Sequence, residues 1–396
     1  MTIANNIIRR NGDDIIMKNS ILIVGAGRLG KGFMGETFDN AGWQLYFLDT
    51  DKKVIDELNE NGAYNVTVHR EHRIDKRHIS GYKAYNYDTE YSCKEAIVNA
   101  NVIAMTIYPD DFPKAIDYLS TGLKQRILEN PNKKLDIICL TNKNYLIPSF
   151  EKMFLDKLSS ENEQIWFKQH VAIRDSIVRR ATDADTNYSL DVRTSAVLSL
   201  LVQSPLFNDL SKVEWIELCD NVKLMKDLKV FTVNGPHVTA AFAGYLKGYT
   251  TLNQTVADPD CLKLINQVHD EVYEGILREY RVNKADLDRL SIFPKAKGEL
   301  EDHISRIAWD PIRKLGRNDR LTGIACLCIK NDFCPTGIIQ SIANGFAYDY
   351  KDDPSAVEIQ NYIKDNGIQS AIIKYCGLED NNILVKKIQE AYNKIK

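Results

Sequence analysis

The chain has 396 residues, of which 44% are hydrophobic and 27% are charged, and its formal net charge is −3. This composition indicates a globular protein of two or three domains, and the near-balance of charge argues against nucleic acid or an anionic membrane as its main partner. The eight cysteines are scattered, and no apolar run is long enough to span a bilayer. We therefore expect free, mostly buried thiols and a reducing, cytoplasmic compartment.

The N-terminal half reads as alternating strands and helices. Residues 1 to 17 are mixed in character, and we expect a loosely ordered extension there. From Lys18, "SILIVG", "RLGKGFMGETFDNAG" and "QLYFLD" predict a strand, a helix and a strand. Further apolar runs at 101 to 107 and 135 to 140 predict a parallel, doubly wound sheet of the Rossmann type.

Beyond residue 190 the pattern changes. Strand-like runs become rare, and long helical patterns such as "CLKLINQVHDEVYEGILREY" dominate. The sequence therefore predicts a dinucleotide-binding domain over residues 18 to 190. A mostly α-helical substrate and catalytic domain is predicted over residues 191 to 396.

The turn after the first strand run is "GAGRLG", in which Gly25, Gly27 and Gly30 fit G-x-G-x-x-G. These glycines would allow a tight turn, approach of a pyrophosphate to the backbone, and close packing of helix on strand. Asp49, at the end of the second strand, could accept hydrogen bonds from ribose hydroxyls and would repel a 2'-phosphate. The pattern predicts NAD rather than NADP, with FAD as an alternative. Further cofactor contacts are expected from Arg28, Leu29 and Thr106.

The stretch "KVFTVNGPH" places Lys229, Asn234 and His237 among apolar residues. On one continuous helix these three side chains would lie within an arc of roughly 140°. Pro236 predicts a kink or a helix restart. Ordinary structural roles remain open, namely a lysine that reaches solvent, an asparagine that caps a helix and a histidine in the core.

Alcohol oxidation would give these residue types a use. Removal of hydride from a secondary alcohol requires a base for the hydroxyl proton and donors for the developing alkoxide. Lys229 is the candidate base, because an apolar setting near positive charge would ease its deprotonation. Asn234 and His237 are the candidate donors. This chemistry requires no metal.

The motif K-x4-N-x2-H resembles the signature of the mannitol dehydrogenase family, the polyol-specific long-chain dehydrogenases. The resemblance extends over nearly the whole chain from Lys18, through "GAGRLGKGFMG", "DSIVRR", "DPIRKLGRNDRL" and "IANGFAYDYKDDPSA". It implies NAD(H), a lysine base, an asparagine and histidine pair at the substrate oxygen, and no metal. The chain looks most like the shorter, sugar-phosphate branch, which implies mannitol 1-phosphate and fructose 6-phosphate as the pair and a monomer, with a dimer as the alternative.

Several positions depart from the family pattern. Asn142 of "LTN" is kept and is expected at the cofactor and substrate, whereas Arg179 replaces the acid of Val-Asp-Arg. Lys295 and Lys297 stand where the family has Arg-Phe-x-Asn-Pro. If these basic side chains face the substrate, they predict an anionic group such as phosphate or carboxylate.

Two further clusters leave alternatives open. Arg313 and Lys314 of "RKLGRNDR" either reach the substrate or serve a domain interface. His69, His72 and His78 suggest a metal site, but a polar hairpin is the better interpretation because no cysteine or paired carboxylate completes a ligand set. The alternative functions are a β-hydroxyacid or uronate dehydrogenase and a catalytically silent NAD-binding sensor.

Overall fold

The computed structural model describes residues 7–8, 16–88, 90–180, 182–184, 190–291, 297–298 and 302–395. The chain divides into two compact units. The first comprises residues 1–224 with 293–299, and the second comprises residues 225–292 with 300–396.

The strands of the described residues belong to the first unit. They are β1 (Ile7–Ile8), β2 (Ile16–Met17), β3 (Ser20–Val24), β4 (Gln44–Asp49), β5 (Ala63–His69), β6 (Ile74–Ser80), β7 (Lys83–Asn86), β8 (Val102–Met105), β9 (Leu135–Cys139), β10 (Val171–Val178), β11 (Thr182–Ala184), β12 (Val192–Ser195), β13 (Leu200–Gln203) and β14 (Ile216–Cys219).

An eight-stranded sheet in the order β14-β13-β10-β9-β8-β3-β4-β7 forms the centre of this unit. All neighbouring strands are parallel except β10 and β13, which pair antiparallel. Every residue of β3, β8 and β9 is buried, as expected for strands covered on both faces. The predicted doubly wound sheet is therefore confirmed.

A second sheet in the order β11-β12-β5-β6 contains the predicted histidine-rich hairpin. Strands β5 and β6 pair antiparallel, so that His69 lies opposite Ile74 and His78 lies opposite Asn65. The segment "HREHRIDKRH" is therefore the turn and flanks of a β-hairpin.

The helices cover the sheet in the first unit and build most of the second. They are α1 (Glu36–Asn40), α2 (Lys52–Asn61), α3 (Lys94–Asn99), α4 (Phe112–Glu129), α5 (Ile147–Lys157), α6 (Glu161–His170), α7 (Val222–Thr232), α8 (Asn234–Leu246), α9 (Leu252–Ala257), α10 (Pro259–Glu279), α11 (Lys284–Ser291), α12 (Ile304–Ala308), α13 (Pro311–Leu315), α14 (Thr322–Lys330), α15 (Thr336–Ala347), α16 (Pro354–Cys376) and α17 (Ile383–Tyr392).

Helices α8 and α15 lie at the centre of the second unit. Val238 and Phe242 of α8 are fully buried, as are Ile342 and Phe346 of α15, and each pair has the i, i+4 spacing of one helix face. A Cβ at Gly345 would lie 2.9 Å from the Phe242 ring, so the absence of a side chain there allows close packing. The mostly helical character predicted for the C-terminal part is confirmed.

The division after Leu224 differs from the predicted boundary near residue 190. Strands β12, β13 and β14 follow residue 190 and pair with strands of the first unit, β12 with β5 and β13 with β10. The strand pairing therefore extends the first unit beyond the predicted limit.

The free-thiol prediction is confirmed, with two exceptions to the expected burial. Cys326 is half-buried and Cys334 is exposed, whereas the other six cysteines are buried. None of the described helices combines the length and apolar character that a membrane span needs.

Candidate active site

The glycine-rich turn has the backbone geometry that its glycines predict. Gly25 has φ 102°, a conformation that favours glycine. A Cβ at Gly30 would lie 1.9 Å from the Gly25 carbonyl oxygen, whereas a Cβ at Gly27 would meet no protein atom within 4 Å. Gly25 and Gly30 are thus required by the fold. The open space at Gly27 is consistent with close approach of a ligand to the backbone.

Asp49, at the end of β4, is bound to this turn. Its Oδ2 accepts a hydrogen bond of 2.6 Å from the Ala26 amide, and its Oδ1 accepts one of 2.9 Å from the Asp51 amide. These bonds orient the carboxylate beside the loop. Its remaining lone pairs can accept hydrogen bonds from the ribose hydroxyls.

The other predicted cofactor residues lie at the same edge of the sheet. Thr106 follows β8, and its hydroxyl donates to the Gly25 carbonyl oxygen at 2.8 Å. Asn142 follows β9 and is exposed. Arg28 is exposed and Leu29 is half-buried. Because β3, β8 and β9 are adjacent and parallel, their carboxyl ends meet at one edge, where open α/β sheets bind ligands.

A pocket of about 280 Å³ opens at this edge. It contains the predicted Gly25, Gly27, Asp49 and Thr106, and it is also lined by Leu48, Thr50, Tyr87, Ile107, Tyr108, Asp111 and Lys114. Sequence reasoning missed this second set, although Tyr87 directly follows β7 and Ile107 and Tyr108 follow β8. Together these residues fit the adenosine end of a dinucleotide, with an acid for the ribose and aromatic rings for the base.

Lys229, Asn234 and His237 lie on two helices separated by one residue. Lys229 is in the last turn of α7, Val233 interrupts the helix, and Asn234 begins α8. The Val233 amide donates to the Lys229 carbonyl oxygen at 3.1 Å, and the His237 amide donates to the Val233 carbonyl oxygen at 3.2 Å. Helical winding therefore continues through the interruption. The predicted restart is present, but α8 begins at Asn234, two residues before Pro236.

The three polar side chains are all half-buried. Asn234 is the first residue of α8, and the N-cap position is occupied by Val233. The Nε2 atom of His237 lies 3.5 Å from Oδ2 of Asp302. Sequence reasoning missed Asp302, which lies far along the chain from the motif.

The segment "RKLGRNDR" adjoins the motif. A Cβ at Gly235 would lie only 3.1 Å from the Arg320 carbonyl oxygen. Lys314 of the same segment is 4% exposed, while Arg313 is exposed. Burial, together with the charges of Arg313 and Arg320, lowers the pKa of Lys314 to about 8. Within the described ranges no hydrogen bond or ion pair engages the Lys314 ammonium group.

The neighbouring arginines of "DSIVRR" have protein partners. An Arg179 amino group hydrogen-bonds the Ser199 hydroxyl and Glu217 Oε1, the latter at 3.2 Å. Arg180 donates to Glu36 Oε2 at 2.7 Å, and both side chains are buried. Glu217 thus already pairs with the charge of Arg179. A contact between Arg179 and the substrate stays a prediction.

The remaining predicted positions are Lys295 and Lys297. Lys295 lies outside the described residues, and Lys297 is exposed, with its amide donating to the Arg70 carbonyl oxygen at 2.8 Å. Among the residues that the structure describes, no group of three His, Cys, Asp or Glu side chains could hold a metal ion.

Comparison with known families accounts for both units. Residues 19–207 match the mannitol dehydrogenase Rossmann domain, and residues 221–396 match the mannitol dehydrogenase C-terminal domain. The chain belongs to the mannitol dehydrogenase family. This membership confirms the prediction of an oxidoreductase that uses NAD.

Two curated relatives have the same name. The chain is 29% identical to mannitol-1-phosphate 5-dehydrogenase of Thermoanaerobacter pseudethanolicus, over 94% of this chain and 97% of the relative. It is 27% identical to the enzyme of that name from Caldanaerobacter subterraneus subsp. tengcongensis, with the same two coverages.

Two solved structures share the fold. A D-sorbitol dehydrogenase in substrate-free form has a TM-score of 0.76 at 15% identity, covering 96% of this chain and 93% of that one. Mannitol 2-dehydrogenase of Pseudomonas fluorescens, in a ternary complex with NAD and D-mannitol, has a TM-score of 0.65 at 14% identity, covering 95% and 92%.

Proposed function

We propose that this mannitol dehydrogenase family member interconverts a polyol phosphate and its ketose by hydride transfer with NAD, using Lys229 as general base. Mannitol 1-phosphate and fructose 6-phosphate are the expected pair. The names of the curated relatives support this choice, since they match along nearly their whole length.

The observation that supports a phosphorylated substrate is the buried side chain of Lys314. Arg313 and Arg320 are the other cations that act on it, and Asp310 and Asp353 offset them only in part. A buried lysine without a protein partner is unfavourable by several kcal/mol unless an anion pairs with it. A phosphate group of the substrate would supply that anion and would form charge-assisted hydrogen bonds.

The pocket at the carboxyl edge of the first unit would hold the cofactor. Gly27 would allow the pyrophosphate to approach the backbone, Asp49 would accept hydrogen bonds from the ribose hydroxyls, and Tyr87 would contact the base. Bound NAD+ supplies the hydride acceptor. The same Asp49 carboxylate disfavours the 2'-phosphate of NADP.

The residues of the second unit perform the proton chemistry. In the oxidative direction the Lys229 amine removes the proton from the substrate hydroxyl, and Asn234 and His237 bind the oxygen as its negative charge develops. In the reductive direction the Lys229 ammonium returns the proton. All three side chains would therefore act on the same substrate oxygen: Lys229 exchanges its proton, and Asn234 and His237 stabilise its negative charge.

Turnover with a panel of ketoses tests this proposal. We expect NADH consumption with fructose 6-phosphate and much less with fructose. Lys229→Ala should lower kcat by about 10²- to 10⁴-fold, the usual contribution of a general base, and leave the NADH dissociation constant from fluorescence quenching nearly unchanged. Lys223→Ala, on the exposed side of the same helix, is the matched control.

The alternatives give different results in the same assays. NADH binding without turnover on any ketose phosphate, uronate or hydroxyacid would favour the silent sensor. Turnover on a hydroxyacid alone would favour the β-hydroxyacid dehydrogenase. Near-normal turnover of the Lys229→Ala protein would exclude that lysine as the base.

A further inference from the structure

A carboxylate outside the K-x4-N-x2-H motif lies beside its histidine. His237 Nε2 and Asp302 Oδ2 are 3.5 Å apart, and the two side chains are 39% and 41% exposed. The other ionic partner of Asp302 is Arg306, whose guanidinium group donates to Oδ1. Arg306, Asp302 and His237 thus form a short row of neighbouring polar side chains.

The backbone holds Asp302 in this position from both sides. The Leu252 amide donates to the Asp302 carbonyl oxygen at 3.0 Å, and the Ile304 amide donates to the Thr250 carbonyl oxygen at 2.9 Å. Helix α12 begins at Ile304 and packs against α8, which carries His237. A Cβ at Gly244 of α8 would lie 2.8 Å from Ile304 Cδ1. The place of Asp302 is therefore set by packing and not by a free loop.

Asp302 is ionised at any working pH. The His237 ring, 3.5 Å away, lowers the pKa of Asp302 to about 2, against an opposing effect of burial and with further help from Arg306. An ionised carboxylate only accepts hydrogen bonds, so the ring nitrogen that faces it must carry the proton. With Nε2 facing Asp302, Nδ1 is the ring nitrogen that remains for another partner, and it is a donor when the ring carries both protons.

We propose that Asp302 is a positioning residue for His237. Its carboxylate accepts a hydrogen bond from Nε2–H, fixes the orientation of the imidazole, and offsets the positive charge of the doubly protonated ring, in which Nδ1–H donates to the substrate oxygen. This inference rests on the role of His237 in the proposed function, and it adds a residue outside the motif to the catalytic arrangement.

A double-mutant cycle on the full chain tests it with fructose 6-phosphate and NADH. Asp302→Asn, which keeps the shape and removes the charge, should lower kcat by about 10- to 100-fold, less than the loss caused by His237→Ala. KM for NADH should stay unchanged. In the His237→Ala background, Asp302→Asn should change kcat by less than about twofold, because a residue that acts through His237 has no effect without it.

The matched control is Glu274→Gln. Glu274 and Arg278 form an ion pair of similar exposure, 46% and 42%, elsewhere in the second unit, so its loss should leave kcat unchanged. If Asp302→Asn lowers kcat equally in both backgrounds, or has no effect in the wild-type background, the inference is overturned. Should Asp302→Asn fail to fold, Asp302→Glu keeps the charge and displaces it, and the same non-additivity is required.

The cycle also separates this inference from the proposed function. Absence of wild-type turnover on every ketose phosphate overturns both. Wild-type turnover with a strong His237→Ala defect, but with additive effects of Asp302→Asn, leaves the proposed function standing and removes only the positioning role.

Discussion

Two buried cations in this protein have opposite surroundings. Arg180, in the first unit, pairs with Glu36 at 2.7 Å, and the two side chains are 0% and 1% exposed. Lys314, in the second unit, is 4% exposed, and no described residue forms a hydrogen bond or ion pair with its ammonium group. Burial lowers the pKa of both side chains, but only Arg180 has a carboxylate in contact that raises it again.

The contrast separates a cation that the fold neutralises from one that it does not. Arg180 also lies over the Phe33 ring, with 4.6 Å between the guanidinium carbon and the ring centroid. Its partners all belong to the protein, which indicates a structural role. Lys314 has no such partner among the described residues, and the phosphate of the proposed substrate would supply one.

The largest effect is expected from removing the ion pair between Arg180 and Glu36. Glu36→Gln leaves Arg180 buried without its counter-charge and should lower the free energy of unfolding by about 3–5 kcal/mol. The control is Asp56→Asn, because Asp56 pairs with Lys52 at the same distance of 2.7 Å but with side chains 48% and 75% exposed. That change should cost at most about 1 kcal/mol. Urea unfolding measures both, and equal costs would contradict the structural role of Arg180.

A smaller effect, of a different kind, is expected from removing the unpaired cation. Lys314→Met should leave the free energy of unfolding unchanged or raised, since it removes a buried charge without a protein partner. It should lower kcat/KM for fructose 6-phosphate by roughly 30- to 100-fold, the value of a hydrogen bond to a charged group.

Unphosphorylated fructose provides the discriminating substrate for Lys314→Met, because its kcat/KM should not respond to the lost charge. Lys386→Met removes a lysine that is 81% exposed in the same unit and serves as the control protein. Equal losses on fructose and fructose 6-phosphate would show that Lys314 does not bind the phosphate.

The smallest effect is a pH dependence. The pKa of Lys314 in the free protein is about 8, so its ammonium group is present below that pH and lost above it. Inhibition by sulfate, whose charge is constant in this range, should therefore weaken as pH rises, by about tenfold between pH 7 and 9 for one ionisation. Lys314→Arg stays charged, and its inhibition constant should be flat. A flat profile in the wild-type protein would assign the anion site to other residues.

The sequence was most informative where short-range geometry decides the structure. Gly25 and Gly30 are required by a positive φ and by a contact between residues five apart, and both constraints can be read from the spacing alone. The same holds for the helix restart near Pro236. The predicted boundary near residue 190 differs from the division after Leu224, and β12 ("VRTS") and β14 ("IELC"), which lie between the two positions, are short strands without long apolar runs.

Contacts between distant residues could not be predicted in this way. Asp302 reaches His237 only because α12 packs on α8, and no spacing rule connects these positions. Lys314 was a candidate substrate residue from the sequence, but its burial and its missing partner depend on the packing of the second unit. Arg179 was assigned to the substrate because it replaces an acid, whereas its neighbour Glu217 comes from a strand that the sequence pattern did not indicate.

The empty volume next to Gly27 has a practical consequence. A methyl group at this position would touch no protein atom within 4 Å, so Gly27→Ala should give a correctly folded, thermally normal protein that no longer accommodates a pyrophosphate. This variant would serve in cells as a control protein that is folded but does not bind the dinucleotide. If this variant rescues a phenotype of cells that lack the protein, the phenotype depends on the presence of the protein and not on its redox turnover.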